Sequence, residues 1–209
     1  MSKSILLAVA ATAFTLAAAS SQAAEPSKSL QYVVNVGLTG GGDTIGTAQF
    51  TNGHTENIKA GALVQFGAGI IWQSTDLPMA AQFTANYQVA DTSTASNGSI
   101  KFSRIPLEAI VYYTGIEKWR MGAGARFVQS PRYKASISGT AGESLDFKNS
   151  NGALVEIGYA VSPNAWLNFR FVSEKYQPTT YRVGSINHDV NNAAKIDGSH
   201  VGVNFSYQF

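Results

Sequence analysis

In the stretch HVGVNFSYQF, His200 to Phe209, every second residue after the histidine is apolar or aromatic, and the residues between them are small or polar. Strict alternation of this kind places the two sets of side chains on opposite faces of a β-strand. The alternation continues as far as Phe209. The strand therefore needs a hydrogen-bonded neighbouring strand along its whole length. The apolar face consists of Val201, Val203, Phe205, Tyr207 and Phe209.

The same alternation recurs along the chain, whereas helical periodicity is almost absent. The runs are about ten residues or longer, although an ordinary strand of a soluble protein has about five or six. A tilted strand that crosses a membrane needs about 9–11 residues. The sequence therefore predicts eight membrane-spanning strands, at 30–39, 58–72, 79–89, 100–116, 119–129, 145–161, 165–175 and 199–209.

The connections between these runs alternate in length. Short connections at 73–78, 117–118 and 162–164 alternate with long polar ones at 40–57, 90–99, 130–144 and 176–198. Tight turns at one end and long loops at the other are typical of bacterial outer-membrane barrels, whose turns are periplasmic and whose loops are extracellular. The predicted fold class is an all-β, eight-stranded antiparallel up-and-down transmembrane β-barrel.

The polar face of the runs distinguishes this fold from a soluble barrel with an apolar interior. It carries Glu108, Arg126, Glu156 and Arg170 in mid-strand, together with several glycines. Glycine offers no advantage on a face that meets bulk water, but it relieves crowding inside a narrow barrel. Buried ions cost several kcal/mol each unless they are paired. We therefore expect these four side chains to form a charge-neutral network that fills the lumen.

The apolar face has no Lys, Arg, Asp or Glu in the middle of any run, as contact with lipid requires. Aromatic residues lie near the ends of several runs, where the rings of membrane proteins sit at the water interface. The predicted aromatic girdle consists of Trp72, Tyr87, Tyr113 and Tyr159.

The beginning of the chain predicts export. A lysine at position 3, the apolar run ILLAVAATAFTLAAA and Ser21-Gln22-Ala23 follow the order of a secretory signal peptide. We expect residues 1–23 to be removed and residues 24–209 to form a single barrel domain. The chain has no cysteine, and its formal net charge of +2 gives no reason to expect a nucleic-acid partner.

With these features combined, the chain resembles the small eight-stranded outer-membrane β-barrels of the OmpA/OmpX and opacity-protein superfamily. The resemblance spans 24–209 and rests on the architecture and on the ending DGSHVGVNFSYQF. It implies a Gram-negative outer membrane, contact with membrane lipid and lipopolysaccharide, and a structural, adhesive or stress-related surface role. It also implies that Phe205, Tyr207 and Phe209 act as the signal recognised by the barrel-assembly machinery. What the extracellular loops bind is left open.

Three function classes follow from this sequence. The first is a non-enzymatic, plugged surface protein, the second a narrow or gated channel for small solutes, and the third a lipid A-modifying enzyme. An enzyme of the third kind would need His, Ser and an acid near the membrane rim. Ser199 and His200 are adjacent and point to opposite faces, and His200 is expected to be an interfacial polar residue. We therefore predict no catalytic residues, no cofactor and no metal.

The leader is directly testable. When the full chain is expressed in a Gram-negative host, the protein recovered from the cell envelope should begin at Ala24. Intact-mass measurement and N-terminal sequencing will determine the first residue, and a mature protein that retains Met1 would contradict the prediction.

Overall fold

The computed structural model describes residues 29–49, 55–94, 98–137, 139 and 141–209. The expected leader, 1–23, and the histidine at position 54 lie outside these residues. No helix in the described part of the chain is long and apolar enough to cross a membrane. The strands are β1 (Leu30–Gly41), β2 (Thr44–Gln49), β3 (Thr55–Lys59), β4 (Leu63–Gln73), β5 (Met79–Thr94), β6 (Gly98–Ile116), β7 (Trp119–Ile137), β8 (Glu143–Phe147), β9 (Ser150–Ser162), β10 (Ala165–Tyr176), β11 (Pro178–Val183), β12 (Ile186–Asp189), β13 (Ile196–Asp197) and β14 (His200–Gln208).

Eight of these strands close into a barrel in the order β1-β4-β5-β6-β7-β9-β10-β14, and every neighbouring pair is antiparallel. At the seam between β1 and β14, Val34 lies opposite Tyr207 and Val36 opposite Phe205. Backbone hydrogen bonds of 3.0 Å join Tyr32 and Phe209 in both directions. The predicted fold class is thereby confirmed: the last strand pairs with the first, and the barrel has no open edge.

The long connections contain more β-structure than the sequence predicts. β2 and β3 form a separate hairpin after β1. At the same end of the barrel β5, β6 and β7 continue beyond the predicted runs and are joined by β8, β11 and β12 in one sheet. The long polar connections are therefore not loops alone, because continuing the ladder satisfies the backbone N–H and C=O groups outside the membrane.

The predicted second run, 58–72, is divided in two. The chain turns at Ala60 and Gly61, where the Gly61 amide donates to the Gly41 carbonyl at 3.1 Å. Ile58, on β3, is buried, whereas Trp72 on β4 points outward and is 49% exposed. The sixth predicted run, 145–161, is likewise divided, between β8 and β9. A turn within a run changes the face on which the following side chains lie. The alternation in the sequence continues through such a turn and therefore does not reveal it.

The outer surface of the barrel is apolar. Val155, Phe169 and Leu38 are each more than half exposed, at 54%, 55% and 56%. Such a belt would promote aggregation in water, and it matches the lipid-facing band of an outer-membrane barrel. The polar side chains on the other face are buried in the lumen.

The predicted girdle residues lie at both ends of this band. Trp72 is the second-last residue of β4, beside a short turn, and Tyr113 and Tyr159 lie at the same end of the barrel. Trp119 extends this set, since its ring centroid is 5.1 Å from that of Tyr159. Tyr87 lies toward the opposite end, with its ring 5.5 Å from Phe66. The four residues therefore do not form one ring around the barrel.

Removing Phe209 should impair assembly. Deletion takes away both hydrogen bonds to Tyr32 and a ring centred 6.0 Å from the Tyr32 ring, at the seam that closes the barrel. We expect less heat-modifiable, folded protein in the outer membrane, as judged by unheated gel migration. Phe209→Tyr, which keeps the ring and the backbone, is the matched control. Wild-type levels of folded protein after the deletion would contradict this role.

Candidate functional site in the barrel lumen

The four charged residues predicted for the lumen form one connected network. The register places Glu108 opposite Arg126 on β6 and β7, and Arg170 opposite Glu156 on β10 and β9. Arg126 Nη1 lies 2.7 Å from Glu108 Oε1, and Arg170 Nη2 lies 2.5 Å from Glu156 Oε2. Arg170 Nη1 is 3.1 Å from Glu108 Oε2, which joins the two pairs. All four side chains are almost fully buried.

Sequence reasoning missed further members of this network. Glu174 Oε2 lies 2.9 Å from Arg126 Nε, and Arg120 Nη2 lies 3.8 Å from Glu156 Oε1. The Tyr112 hydroxyl donates to Glu156 Oε1 at 2.8 Å. In the alternating pattern these residues stand on the same face as the predicted ones. That shared face was the signal in the sequence that could have identified them. They lie nearer the ends of the strands, where phase alone does not distinguish lumen from rim.

The four predicted residues balance one another in charge, whereas the lumen as a whole does not. In the described chain it contains four buried arginines and three buried glutamates, so one positive charge is in excess. Arg104 accounts for the imbalance, since its Nε lies 3.8 Å from Glu174 Oε1 and none of its nitrogens has a hydrogen-bond partner among the described residues. Its guanidinium carbon instead lies 4.8 Å from the centre of the Phe102 ring and 5.7 Å from that of Tyr176. Cation–π contacts of this kind stabilise a desolvated arginine by about 2 kcal/mol. The buried charges are Arg104, Arg120, Arg126, Arg170, Glu108, Glu156 and Glu174.

A second polar layer lies toward the short turns and is centred on Arg120. Its guanidinium donates to Asn168 Oδ1 at 2.8 and 3.1 Å and to Ser206 Oγ at 3.0 Å. The rings of Tyr112 and Trp166 lie 4.4 and 4.6 Å from its central carbon. The arginine is therefore held by hydrogen bonds and by two aromatic faces.

Glycine makes room for these long side chains. Gly158 lies opposite Arg120 across the strand pair, and a Cβ at Gly158 would stand 3.0 Å from the Arg120 Nε atom. Gly122 lies opposite Glu156, and a Cβ there would stand 2.6 Å from the Tyr112 ring. The contact at Gly122 is too close for a real Cβ, and at Gly158 a Cβ would also stand 2.3 Å from Asn168 Oδ1, the acceptor of the Arg120 hydrogen bonds. The relief of crowding expected from the sequence is thus realised at these two positions.

A buried apolar cluster lies on the side of the long connections. The Phe102 ring lies 5.7 Å from Phe147 and 5.6 Å from Tyr176, centre to centre. Residues of the β2–β3 hairpin pack against the same group. The cluster comprises Ile58, Ala60, Ala90, Ile100, Phe102, Val128, Tyr133, Phe147 and Tyr176.

The two histidines that the structure describes, His188 and His200, do not form the arrangement that a lipid-modifying enzyme would need. His200 points into the lumen, where its Nδ1 lies 2.8 Å from the Gly198 carbonyl and 3.7 Å from Glu174 Oε1. The expectation that it is an interfacial residue is therefore wrong, because its phase on β14 is that of the inner face. His188 is exposed on β12, within the last long connection.

The solved structures to which this chain is similar include a neisserial surface protein and two outer-membrane proteins. Neisserial surface protein A is 15% identical, with 88% of this chain and 100% of that one covered at a TM-score of 0.48. AlkL in lipid bilayers is 16% identical, with coverage of 90% and 96% and a TM-score of 0.46. OmpT of Vibrio cholerae is 14% identical, with coverage of 88% and 53% and a TM-score of 0.29. No protein-family model matches the sequence, and no curated protein is significantly similar to it.

A double-mutant cycle tests the ion pairs. Glu156→Ala leaves Arg170 without one of its two carboxylate partners, and breaking a buried pair costs about 3–5 kcal/mol. Removing Glu156 and Arg170 together should cost less than the sum of the single changes, because the stranded charge disappears as well. Urea unfolding in detergent micelles measures each free energy.

The cycle of Glu156 with Arg126 is the matched control. Arg126 is buried to the same degree but pairs with Glu108 and Glu174, so a smaller coupling energy is expected. Additive effects for Glu156 with Arg170 would show that their contact does not contribute to stability.

Proposed function

We propose that this protein is a non-enzymatic outer-membrane protein of a Gram-negative bacterium, with a closed lumen and a surface role carried by the strands beyond the membrane. The observation that carries the proposal is the closure of the lumen by two successive layers. The charged network occupies the part of the barrel that crosses the membrane, and the apolar cluster lies above it. Eight strands leave an interior just wide enough for side chains to fill.

The part of the barrel beyond the lipid-facing band supports a surface role. On β7, Phe127 is an outward apolar residue, and the strand continues to Ile137, which is about 30 Å of extended chain. Hydrogen bonds also hold separate segments of this part together. Asp43 and Asp197 exchange hydrogen bonds at 2.8 Å between the first and last long connections. The Asp197 carboxylate accepts from the Ser199 amide at 2.9 Å, and hydrogen bonds from Ser199 lower the pKa of this carboxyl group.

A narrow channel is the second candidate, and one observation favours it. The excess positive charge of the lumen, with the Arg104 guanidinium that lacks a hydrogen-bond partner among the described residues, would attract small anions. If the protein conducts, the current should therefore be carried mainly by anions.

Single-channel recording in planar bilayers separates the two candidates. The folded wild-type protein should give no steady current. A variant that lacks both the Glu108 and the Arg126 side chains is the comparison. It should be more permeable than the wild type, because the central ion pair is lost. Steady unitary steps from the wild-type protein would reject the closed lumen and support the channel.

Location and orientation are tested separately. We expect the protein in the outer-membrane fraction, with an epitope tag inserted at Asn191 accessible on intact cells. Asn191 lies in an exposed turn of the last long connection. A tag placed in the short turn at Lys118 should be accessible only after the outer membrane is broken. Recovery in another fraction, or the reverse labelling pattern, would overturn the proposed location or orientation.

A further inference from the structure

The outer surface of β6 and β7 changes from apolar to basic just beyond the lipid-facing band. Ile105 is the last outward apolar residue of β6 on that side, and Ser103 and Lys101 follow it on the same face. On β7, beyond the irregularity at Ser130, the outward residues include Arg132 and Lys134. We call Lys101, Arg132 and Lys134 the basic face.

Two of these cations are placed directly opposite each other. Lys101 pairs in register with Lys134, so their side chains leave neighbouring strands on the same face. Like charges in this position destabilise a sheet unless an anion lies between them. Arg132 already has its counter-ion, since its Nε lies 2.5 Å from Asp146 Oδ1. Asp91 lies across from Lys101 on β5, but neither lysine forms an ion pair with a carboxylate of the described residues.

A cavity of about 610 Å³ lies beside the basic face. Its lining adds neutral hydrogen-bonding groups at Ser103, Ser130 and Asn149. Its lower edge is apolar and is formed by Tyr87 and Ile105, which also border the lipid-facing band. The cavity is therefore cationic on one side and apolar where it meets the membrane.

We propose that this cavity binds the phosphorylated headgroup of an outer-leaflet glycolipid, with Lys101 and Lys134 as the groups that hold its phosphate. The inference rests on the proposed outer-membrane location, and it names the lipid that the outer surface contacts. A phosphate between the two ammonium groups removes their repulsion, and sugar hydroxyls meet Ser103, Ser130 and Asn149. The acyl chains follow Ile105 and Tyr87 down the apolar wall. A soluble anion would make no use of that apolar edge.

Native mass spectrometry of the folded, full-length protein in detergent tests the site, with bisphosphorylated lipid A as the probe. Each lysine near an anionic lipid surface contributes about fivefold to affinity, so Lys101→Gln with Lys134→Gln should weaken binding about thirtyfold. Lys101→Arg with Lys134→Arg keeps the charges and should bind like the wild type. Heat-modifiable gel migration shows that each variant is folded.

The matched control removes two lysines elsewhere on the surface. Lys118, in a short turn, and Lys195, exposed in the last long connection, are replaced by Gln together, and binding should stay within about twofold of wild type. An equal loss in this control, or wild-type binding by the Lys101 and Lys134 double variant, would overturn the proposal.

Two further arms identify the ligand. Dephosphorylated lipid A should bind the wild-type protein as weakly as bisphosphorylated lipid A binds the glutamine double variant, and equal binding of the two lipids would overturn the role of phosphate. Inorganic phosphate in molar excess should not displace the lipid, and displacement would identify a free-anion site instead. Because these measurements use detergent, they report on the cavity whether or not cell fractionation supports the outer-membrane location.

Discussion

Backbone hydrogen bonding in hydrocarbon is the constraint on which the rest of this structure depends. An unpaired N–H or C=O group in the bilayer core costs several kcal/mol, and no water is present to satisfy it. The pairing of β1 with β14 removes the last open edge, and the reciprocal bonds between Tyr32 and Phe209 complete it at the short-turn end. Once the sheet is closed, each residue of a barrel strand must face either lipid or lumen.

Closure at eight strands makes the lumen narrow, and the narrow lumen explains how its charged side chains are arranged. Long arginine side chains on β6, β7 and β10 extend into the lumen, where glutamates, amide and hydroxyl groups and aromatic rings surround them. A glutamate that accepts from two arginines, as Glu108 does, compensates part of the cost of burying each charge. For Arg104 the cost of burying the charge is offset differently. Aromatic faces stabilise its guanidinium where no second carboxylate is available.

The same closure separates the molecule into two regions with different roles. Within the membrane the outer wall is apolar and the interior is occupied by ion pairs, an arrangement suited to an inert, stable barrel. Beyond the membrane the strands of β5, β6 and β7 continue, and their interior becomes apolar while their exterior becomes polar and basic. The inversion of the two faces along a single strand marks where lipid gives way to water. Functional groups that meet a partner are therefore expected on this outer part.

The sequence by itself determined the barrel, because alternation with a period of two assigns each side chain to a face and hydrocarbon permits only a closed sheet. It also identified Glu108, Arg126, Glu156 and Arg170 as lumenal, since they share one phase in the middle of their runs. Only the tertiary structure decided which charges pair, because pairing depends on the register between strands and on how long side chains reach across the lumen. It also decided that Ile58 belongs to an apolar cluster and that Lys101 faces Lys134. Each of these depends on a turn or a neighbouring strand, and a one-dimensional pattern records neither.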